Sequence, residues 1–145
     1  MRDIISGLDF LQAFPPKAAV TDGTAQVSAI FDRQGFDGAA LILTVGTLTD
    51  ADAVWSVLIE DSADGSTFAA VADEYLNGTE LLAGFAFGDD NECRKIGYTG
   101  GKRYLRATID DTTANTGNLF VAGMWVGGLP ARVPTPNPPA LVAFT

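Results

Sequence analysis

Alternation of apolar and polar residues through the middle of the sequence constrains its fold more than any other feature. Successive side chains of a β-strand point to opposite faces, so a period of two residues indicates a half-buried strand. In the segment 103–109, Arg103 shares one face with Leu105, Ala107 and Ile109. The other face carries Tyr104, Arg106 and Thr108. We expect this second face to be exposed or to meet a partner, with Arg103 reaching solvent at the start of the strand.

Other segments also indicate strands, and turn dipeptides separate them. The segment 25–32 alternates with Ala25, Val27, Ala29 and Phe31 on its apolar side, and further strands are predicted at 54–60, 67–72 and 119–126. The apolar run from Ala39 to Val45 predicts a central strand that is covered on both faces. Asp64-Gly65 is a strong hairpin signal, because glycine accepts a positive φ. The pattern predicts an all-β fold, an antiparallel β-sandwich or jelly-roll-like core.

The two ends of the chain differ from its middle. A length of 145 residues fits one domain, which we divide into an N-terminal arm (1–24), a β-sandwich core (25–127) and a proline-rich, extended C-terminal arm (128–145). The helical spacing of Ile4, Ile5, Leu8 and Leu11, with Asp3 as N-cap, predicts a two-turn helix in the first arm. Both arms carry apolar residues, which suggests burial on another molecule. The alternative is that both arms fold back on their own core.

Composition excludes most enzyme classes. The chain has no histidine and one cysteine, Cys93, so a histidine-based triad, a histidine metal site and an intrachain disulfide are all excluded. Its 18 acidic and 9 basic residues give a net charge of −9, which disfavours nucleic acid as a partner. No apolar run reaches the ~18 residues of a membrane span, and the N-terminus lacks the features of a signal peptide. We expect no membrane association and production in a reducing compartment.

Two motifs resemble ligand-binding loops but lack residues that those loops need. The Gly101-Lys102 pair has Ile96 where a phosphate-binding loop has its first glycine, and Arg103 follows the lysine. The loop that begins at Glu60 has Val71 where a calcium loop has its bidentate glutamate. We therefore predict no catalytic residues, no cofactor and no metal.

Five of the nine basic residues lie within 13 positions and form what we call the basic band. Its members are Arg94, Lys95, Lys102, Arg103 and Arg106. A solvated strand face explains this band. The alternative is electrostatic docking onto an acidic partner or onto a second copy of the chain.

Two stretches carry a family resemblance when they are taken together. The first is 57–68 (VLIEDSADGSTF), and the second is 96–106 (IGYTGGKRYLR). The pair resembles small virion structural proteins of tailed bacteriophages, including capsid decoration (cement) proteins. The resemblance covers about residues 25–126. It implies a β-sandwich core, no catalysis, assembly with the major capsid protein on the outer capsid surface of the virion, and a trimer of the protein with itself.

Two alternative functions stay open. The first is a head–tail connector or tail component. The second is a carbohydrate-binding β-sandwich in which Trp55, Trp125 or Tyr98 stacks on a sugar, although both tryptophans lie in apolar strand patterns that favour burial. For the decoration protein, the predicted interface residues are Phe10, Phe14, Tyr104, Arg106, Leu141 and Phe144.

Overall fold

The computed structural model describes residues 3–17, 19–21, 24–111 and 117–135. Its strands are β1 (Asp9–Phe14), β2 (Val20–Thr21), β3 (Gln26–Val27), β4 (Phe31–Asp32), β5 (Phe36–Val45), β6 (Val54–Ser62), β7 (Ala69–Ala70), β8 (Leu76–Asn77), β9 (Phe85–Ala86), β10 (Cys93–Tyr98), β11 (Tyr104–Asp111), β12 (Asn118–Leu119) and β13 (Val121–Pro130). Its helices are α1 (Glu80–Ala83) and two 3₁₀ helices, Ile5–Gly7 and Asp73–Tyr75.

Two antiparallel sheets form a β-sandwich, which confirms the predicted fold class. The first sheet has the strand order β1-β13-β5-β10-β8, and the second has the order β3-β11-β6-β7, with β4 pairing with β11 and β9 pairing with β6. The core lies between the sheets because each long strand turns one apolar side inward. The most deeply buried large residues are Trp125, Leu41, Leu43, Leu48, Ile59, Leu105 and Ile109.

Strand β11 has the facing that its alternation predicts. Leu105, Ala107 and Ile109 are fully buried, while Tyr104 and Arg106 are half-buried on the outer side. The predicted strand at 25–32 is different, because it is interrupted between β3 and β4. There Val27 is exposed, and Ser28 is buried and accepts a hydrogen bond from the Ala107 N–H (2.9 Å). The inward facing expected for Val27 is therefore wrong, since the break in the strand changes which side chains point inward.

The N-terminal segment is part of the sandwich. Residues Asp9–Phe14 form the edge strand of the first sheet and pair with β13, so the predicted arm at 1–24 is wrong for this segment. It folds back on its own core. The helix is a single 3₁₀ turn and not two turns, because the ladder with β13 begins at Asp9. Asp3 accepts hydrogen bonds from the Ile5 and Ser6 N–H groups (3.0 and 3.1 Å) at the start of this turn.

The C-terminal segment also contacts its own chain as far as it is described. Strand β13 continues to Pro130, which is beyond the predicted core boundary at residue 127. Thr135 is buried, its N–H donates to the Ser6 carbonyl (2.9 Å), and its hydroxyl donates to the Leu8 carbonyl (2.5 Å). The described chain therefore ends beside the start of β1, and residues 136–145 lie outside the described residues.

Candidate interaction surface

The outer face of the five-stranded sheet is largely apolar and open to solvent, with Gln12, Thr44 and Lys95 among its exposed polar residues. Strand β5 buries alternate residues in the core, but Ile42 on its other side is half-buried and Thr44 is exposed. The prediction that both faces of this strand are covered is therefore wrong within the described part of the chain. The face that it opens is a candidate interaction surface.

The register of the strands defines this surface, which we call the outer face. Phe10 lies opposite Val126, and Val126 lies opposite Ala40. In the next row Met124 lies opposite Ile42, which lies opposite Lys95 on β10. The outer face is defined by its apolar members, Phe10, Ala40, Ile42, Met124 and Val126.

The outer face carries little charge although the chain has a net charge of −9. Met124 is 42% exposed and Phe10 is 37% exposed. Among the described residues of β1, β13, β5 and β10, Lys95 is the one charged residue that the register assigns to this side. Several apolar side chains exposed side by side on one face of a folded domain are typical of a site that another molecule covers.

The two stretches that carry the family resemblance pack against each other in the core and at its rim. Asp61 of the first stretch accepts hydrogen bonds from the Tyr98 hydroxyl (2.9 Å) and from the Lys102 ammonium (2.7 Å). The Lys102 N–H donates to the Tyr98 hydroxyl (3.0 Å). Burial raises the pKa of Tyr98 above its ordinary value. The three side chains therefore form one network that joins β6 to the turn after β10.

Close packing also fixes this turn. A Cβ atom on Gly100 would lie 2.5 Å from the Tyr98 hydroxyl oxygen, so the approach requires glycine. Arg33 lies over the Tyr98 ring, 5.5 Å from its centroid, and donates to the carbonyls of Gly100 (2.9 Å) and Lys102 (2.5 Å). The residues of the second stretch hold the backbone in place, which explains their pattern without a bound ligand.

The first stretch ends in a turn with the same structural role. Gly65 has a φ of +77°, as the Asp-Gly signal predicts, and a Cβ atom added to it would lie 3.4 Å from the Tyr104 ring. Asp64 accepts hydrogen bonds from the Thr67 and Ser66 N–H groups (both 2.9 Å), which lower the pKa of its carboxyl below the ordinary value. These contacts stabilise the hairpin between β6 and β7.

Most of the basic band is paired with carboxylates of the same chain. Arg106 contacts Glu60 (2.8 Å), and its guanidinium lies 4.3 Å from the Phe68 ring centroid. Arg103 forms two hydrogen bonds with Asp32 (2.8 Å each). The two remaining paired residues are Lys102, with Asp61, and Arg94, with Asp89 and Glu92. The band is therefore not an open positive surface, and electrostatic docking has little support.

The predicted interface residues do not come together in one place. Phe10 lies on the outer face, whereas Tyr104 and Arg106 lie on the outside of the second sheet. Phe14 is buried in the core beside Gly123, because a register irregularity between Gln12 and Phe14 turns it inward. Leu141 and Phe144 lie outside the described residues. Among the four members of this set that the structure describes, Phe10 alone belongs to the outer face.

Sequence reasoning missed a second apolar surface, beside α1. A groove of about 540 Å³ runs along β6, and its apolar wall includes Val54, Leu58 and Leu81. Leu81 is 88% exposed because it projects from the single turn of α1. The acidic residues of this groove are already engaged, since Glu80 accepts a hydrogen bond from the Ile59 N–H (2.6 Å) and Asp89 pairs with Arg94.

Sugar stacking finds no support at the three aromatic rings proposed from the sequence. Trp55, Trp125 and Tyr98 are all buried, so none of them offers an exposed ring. The described residues contain no group of three or more His, Cys, Asp or Glu side chains placed to hold a metal ion. Within the same residues, no helix is long and apolar enough to cross a membrane.

Comparison with known proteins relates the chain to solved structures only. No protein-family model matches the sequence, and no curated protein matches it. One similar structure is the CBM36-1 domain of a multidomain xylanase from the hindgut metagenome of Trinervitermes trinervoides, with 10% identity, 83% of this chain and 97% of that chain covered, and a TM-score of 0.43. A CBM35 from Cellvibrio japonicus has 15% identity, coverage of 93% and 96%, and a TM-score of 0.42. The CBM22-1 xylan-binding domain from Paenibacillus barcinonensis has 12% identity, coverage of 90% and 100%, and a TM-score of 0.46. These likenesses concern the β-sandwich fold alone.

Proposed function

We propose that this chain is a non-enzymatic structural protein of a bacteriophage virion that binds the major capsid protein on the outside of the capsid. The observation that carries the proposal is the outer face, an apolar and nearly uncharged surface on an otherwise acidic protein. A face of this kind gains free energy when a partner protein removes it from water, at ~25 cal/mol per Å² of apolar area. The family resemblance of the two packed stretches supports the choice of partner.

Most side chains of the basic band are already paired with carboxylates, which supports binding through apolar contact. Arg94, Lys102, Arg103 and Arg106 already have carboxylate partners, so they offer little to an acidic partner. A decoration protein that binds through the outer face keeps these pairs intact. We therefore expect capsid binding to persist at raised salt concentration, which weakens exposed ion pairs but not apolar contacts.

Co-sedimentation with capsids of the phage that encodes the chain tests the proposal. Met124→Glu places a charge at the centre of the outer face and is expected to abolish binding. Leu58→Glu is the matched control, since Leu58 is similarly exposed (37% against 42%) but lies on the second sheet. Loss of binding in the first variant with retention in the second supports the proposal. Absence of binding by the natural chain refutes it.

The copy number in purified particles separates decoration from a connector role. A decoration protein is present in proportion to the major capsid protein, whereas a connector or tail component is present in the few copies of one ring. Quantitative mass spectrometry of intact particles measures this ratio. The carbohydrate-binding alternative predicts binding to a glycan array by the same preparation, through rings other than Trp55, Trp125 and Tyr98.

A further inference from the structure

Lys95 is the one member of the basic band whose charge the described part of the chain leaves unpaired. Its side chain is exposed on β10, and none of the ion pairs among the described residues includes it. The other four members each contact a carboxylate of this chain. Water solvates an exposed ammonium well, so Lys95 needs no partner until another molecule covers the outer face.

The strand register places Lys95 at the end of an apolar row of the outer face. Met124 lies opposite Ile42, and Ile42 lies opposite Lys95. Neighbouring strands are ~4.8 Å apart, so the row from Met124 to Lys95 spans ~10 Å. Two positions away on the same side of β10 are Cys93 and Gly97, and neither is a carboxylate. The row therefore combines apolar side chains with one ammonium at a defined distance.

A partner that covers this row has to supply an anion for Lys95. Removing an ammonium from water is costly, and a carboxylate in contact with it offsets that cost. The outer face of a second copy has no such group, because Lys95 is the one charged residue that the register assigns to this side in the described strands. Nucleic acids and anionic membranes attract groups of cations, whereas this chain has a net charge of −9. Charge complementarity therefore favours a different protein, with a single carboxylate beside apolar side chains.

We propose that the outer face binds an apolar strip of its partner that ends in an aspartate or a glutamate, and that Lys95 forms an ion pair with this carboxylate. The carboxylate lies ~10 Å from the partner side chain that contacts Met124, as the row on this chain requires. This inference rests on the proposed function, with the major capsid protein as the partner. The pair sets the orientation of the complex, while the apolar contacts supply most of the affinity. Because apolar side chains enclose the pair, salt screens it less than an exposed pair.

The test measures co-sedimentation of the full chain with capsids of the phage that encodes it, at increasing protein concentration. Lys95→Met removes the charge and keeps an apolar side chain, and Lys95→Arg keeps the charge. Arg132→Met is the matched control, because Arg132 is also exposed but follows the end of β13. Carbodiimide cross-linking of the complex, followed by mass spectrometry, identifies the carboxylates that contact lysine side chains. Circular dichroism confirms that each variant is folded.

The natural chain, Lys95→Arg and Arg132→Met are expected to bind alike. Lys95→Met is expected to bind about tenfold more weakly or worse, because the partner's carboxylate is then left unpaired. The cross-linked peptides are expected to join Lys95 to an aspartate or a glutamate of the major capsid protein.

Two kinds of result overturn the inference and leave the proposed function standing. If Lys95→Met binds as tightly as the natural chain, the outer face needs only apolar contact. Equal loss of binding in Lys95→Met and Arg132→Met, or cross-links to the capsid through other lysines only, means that no specific pair forms at Lys95. A natural chain that does not bind capsids refutes the proposed function and this inference together.

Discussion

The network around Asp61 gives the sharpest test of the structural role of the two stretches that carry the family resemblance. In Tyr98→Phe the ring stays and only the hydroxyl is lost. That hydroxyl donates to Asp61 and accepts from the Lys102 N–H. Asp61 is 6% exposed, so water cannot readily replace the lost donor. The substitution therefore leaves a buried carboxylate oxygen and a backbone N–H short of a partner.

The magnitude follows from the two hydrogen bonds. A bond to a charged group contributes ~1.5–3 kcal/mol and a neutral one ~0.5–1.5 kcal/mol. Removing the hydroxyl also removes its own desolvation cost, and Asp61 keeps its contact with Lys102. We expect Tyr98→Phe to lower the free energy of unfolding by about 2–4 kcal/mol, which corresponds to a fall in Tm of roughly 6–12 °C for a chain of this size.

Tyr104→Phe is the matched control. Tyr104 is half-buried on the outer side of β11, where its ring lies beside Gly65 and under the Arg103 guanidinium, 4.9 Å from the ring centroid. These contacts survive loss of the hydroxyl, so its free energy of unfolding should change by less than ~0.5 kcal/mol. Urea denaturation of both variants measures the difference. Equal, small effects would show that the Tyr98 hydroxyl does not support Asp61, and the structural role given to the second stretch would be wrong.

Three further predictions concern the same region. Arg106→Glu sets a carboxylate directly opposite Glu60 and should destabilise the fold by about 1–3 kcal/mol, more than a simple surface change. Adding Glu60→Arg to this variant should recover most of the lost stability, which thermal denaturation measures. Gly100→Ala should cost about 1–3 kcal/mol through its clash with Tyr98, whereas Gly101→Ala, with no atom within 4 Å of the added Cβ, should be nearly neutral in the same measurement. The raised pKa of Tyr98 means that the folded state holds this proton more tightly than the unfolded state. Stability from this source is complete below pH 10.0 and is lost as pH rises through the folded pKa, so urea titrations above pH 10.0 should show a steeper loss for the natural chain than for Tyr98→Phe.

Local patterns predicted those parts of the fold that depend on neighbouring residues. The period of two in 103–109 gave the correct inward side of β11, and the Asp64-Gly65 dipeptide gave the turn after β6. Both signals depend on backbone geometry over a few residues. The inward turn of Phe14 depends on its pairing with β13, more than 100 residues away, so no pattern within the N-terminal segment could reveal it.

The basic band shows the same limit for side chains. Five cations within 13 positions look like a surface when only the sequence is considered. Their partners come from distant segments, since Arg103 meets Asp32 across 71 positions and Arg106 meets Glu60 across 46. Cross-strand register decides these pairs, and register follows from the strand order of the whole sheet. A cluster of charge in sequence therefore does not by itself identify a docking surface.

The apolar run from Ala39 to Val45 is the sequence signal of the outer face. What this run indicates depends on what covers each side of the strand. Apolar residues on both sides of a strand indicate burial on both sides, and a central strand inside one domain is the usual cause. In this sandwich the second sheet covers only one side of β5, and the described residues supply no layer for the other. The same pattern then indicates burial by another molecule. The sequence shows which residues of a strand are apolar, but it does not show how many layers of structure cover the strand. A strand that is apolar on both faces in a two-layer protein is therefore a reason to look for a partner.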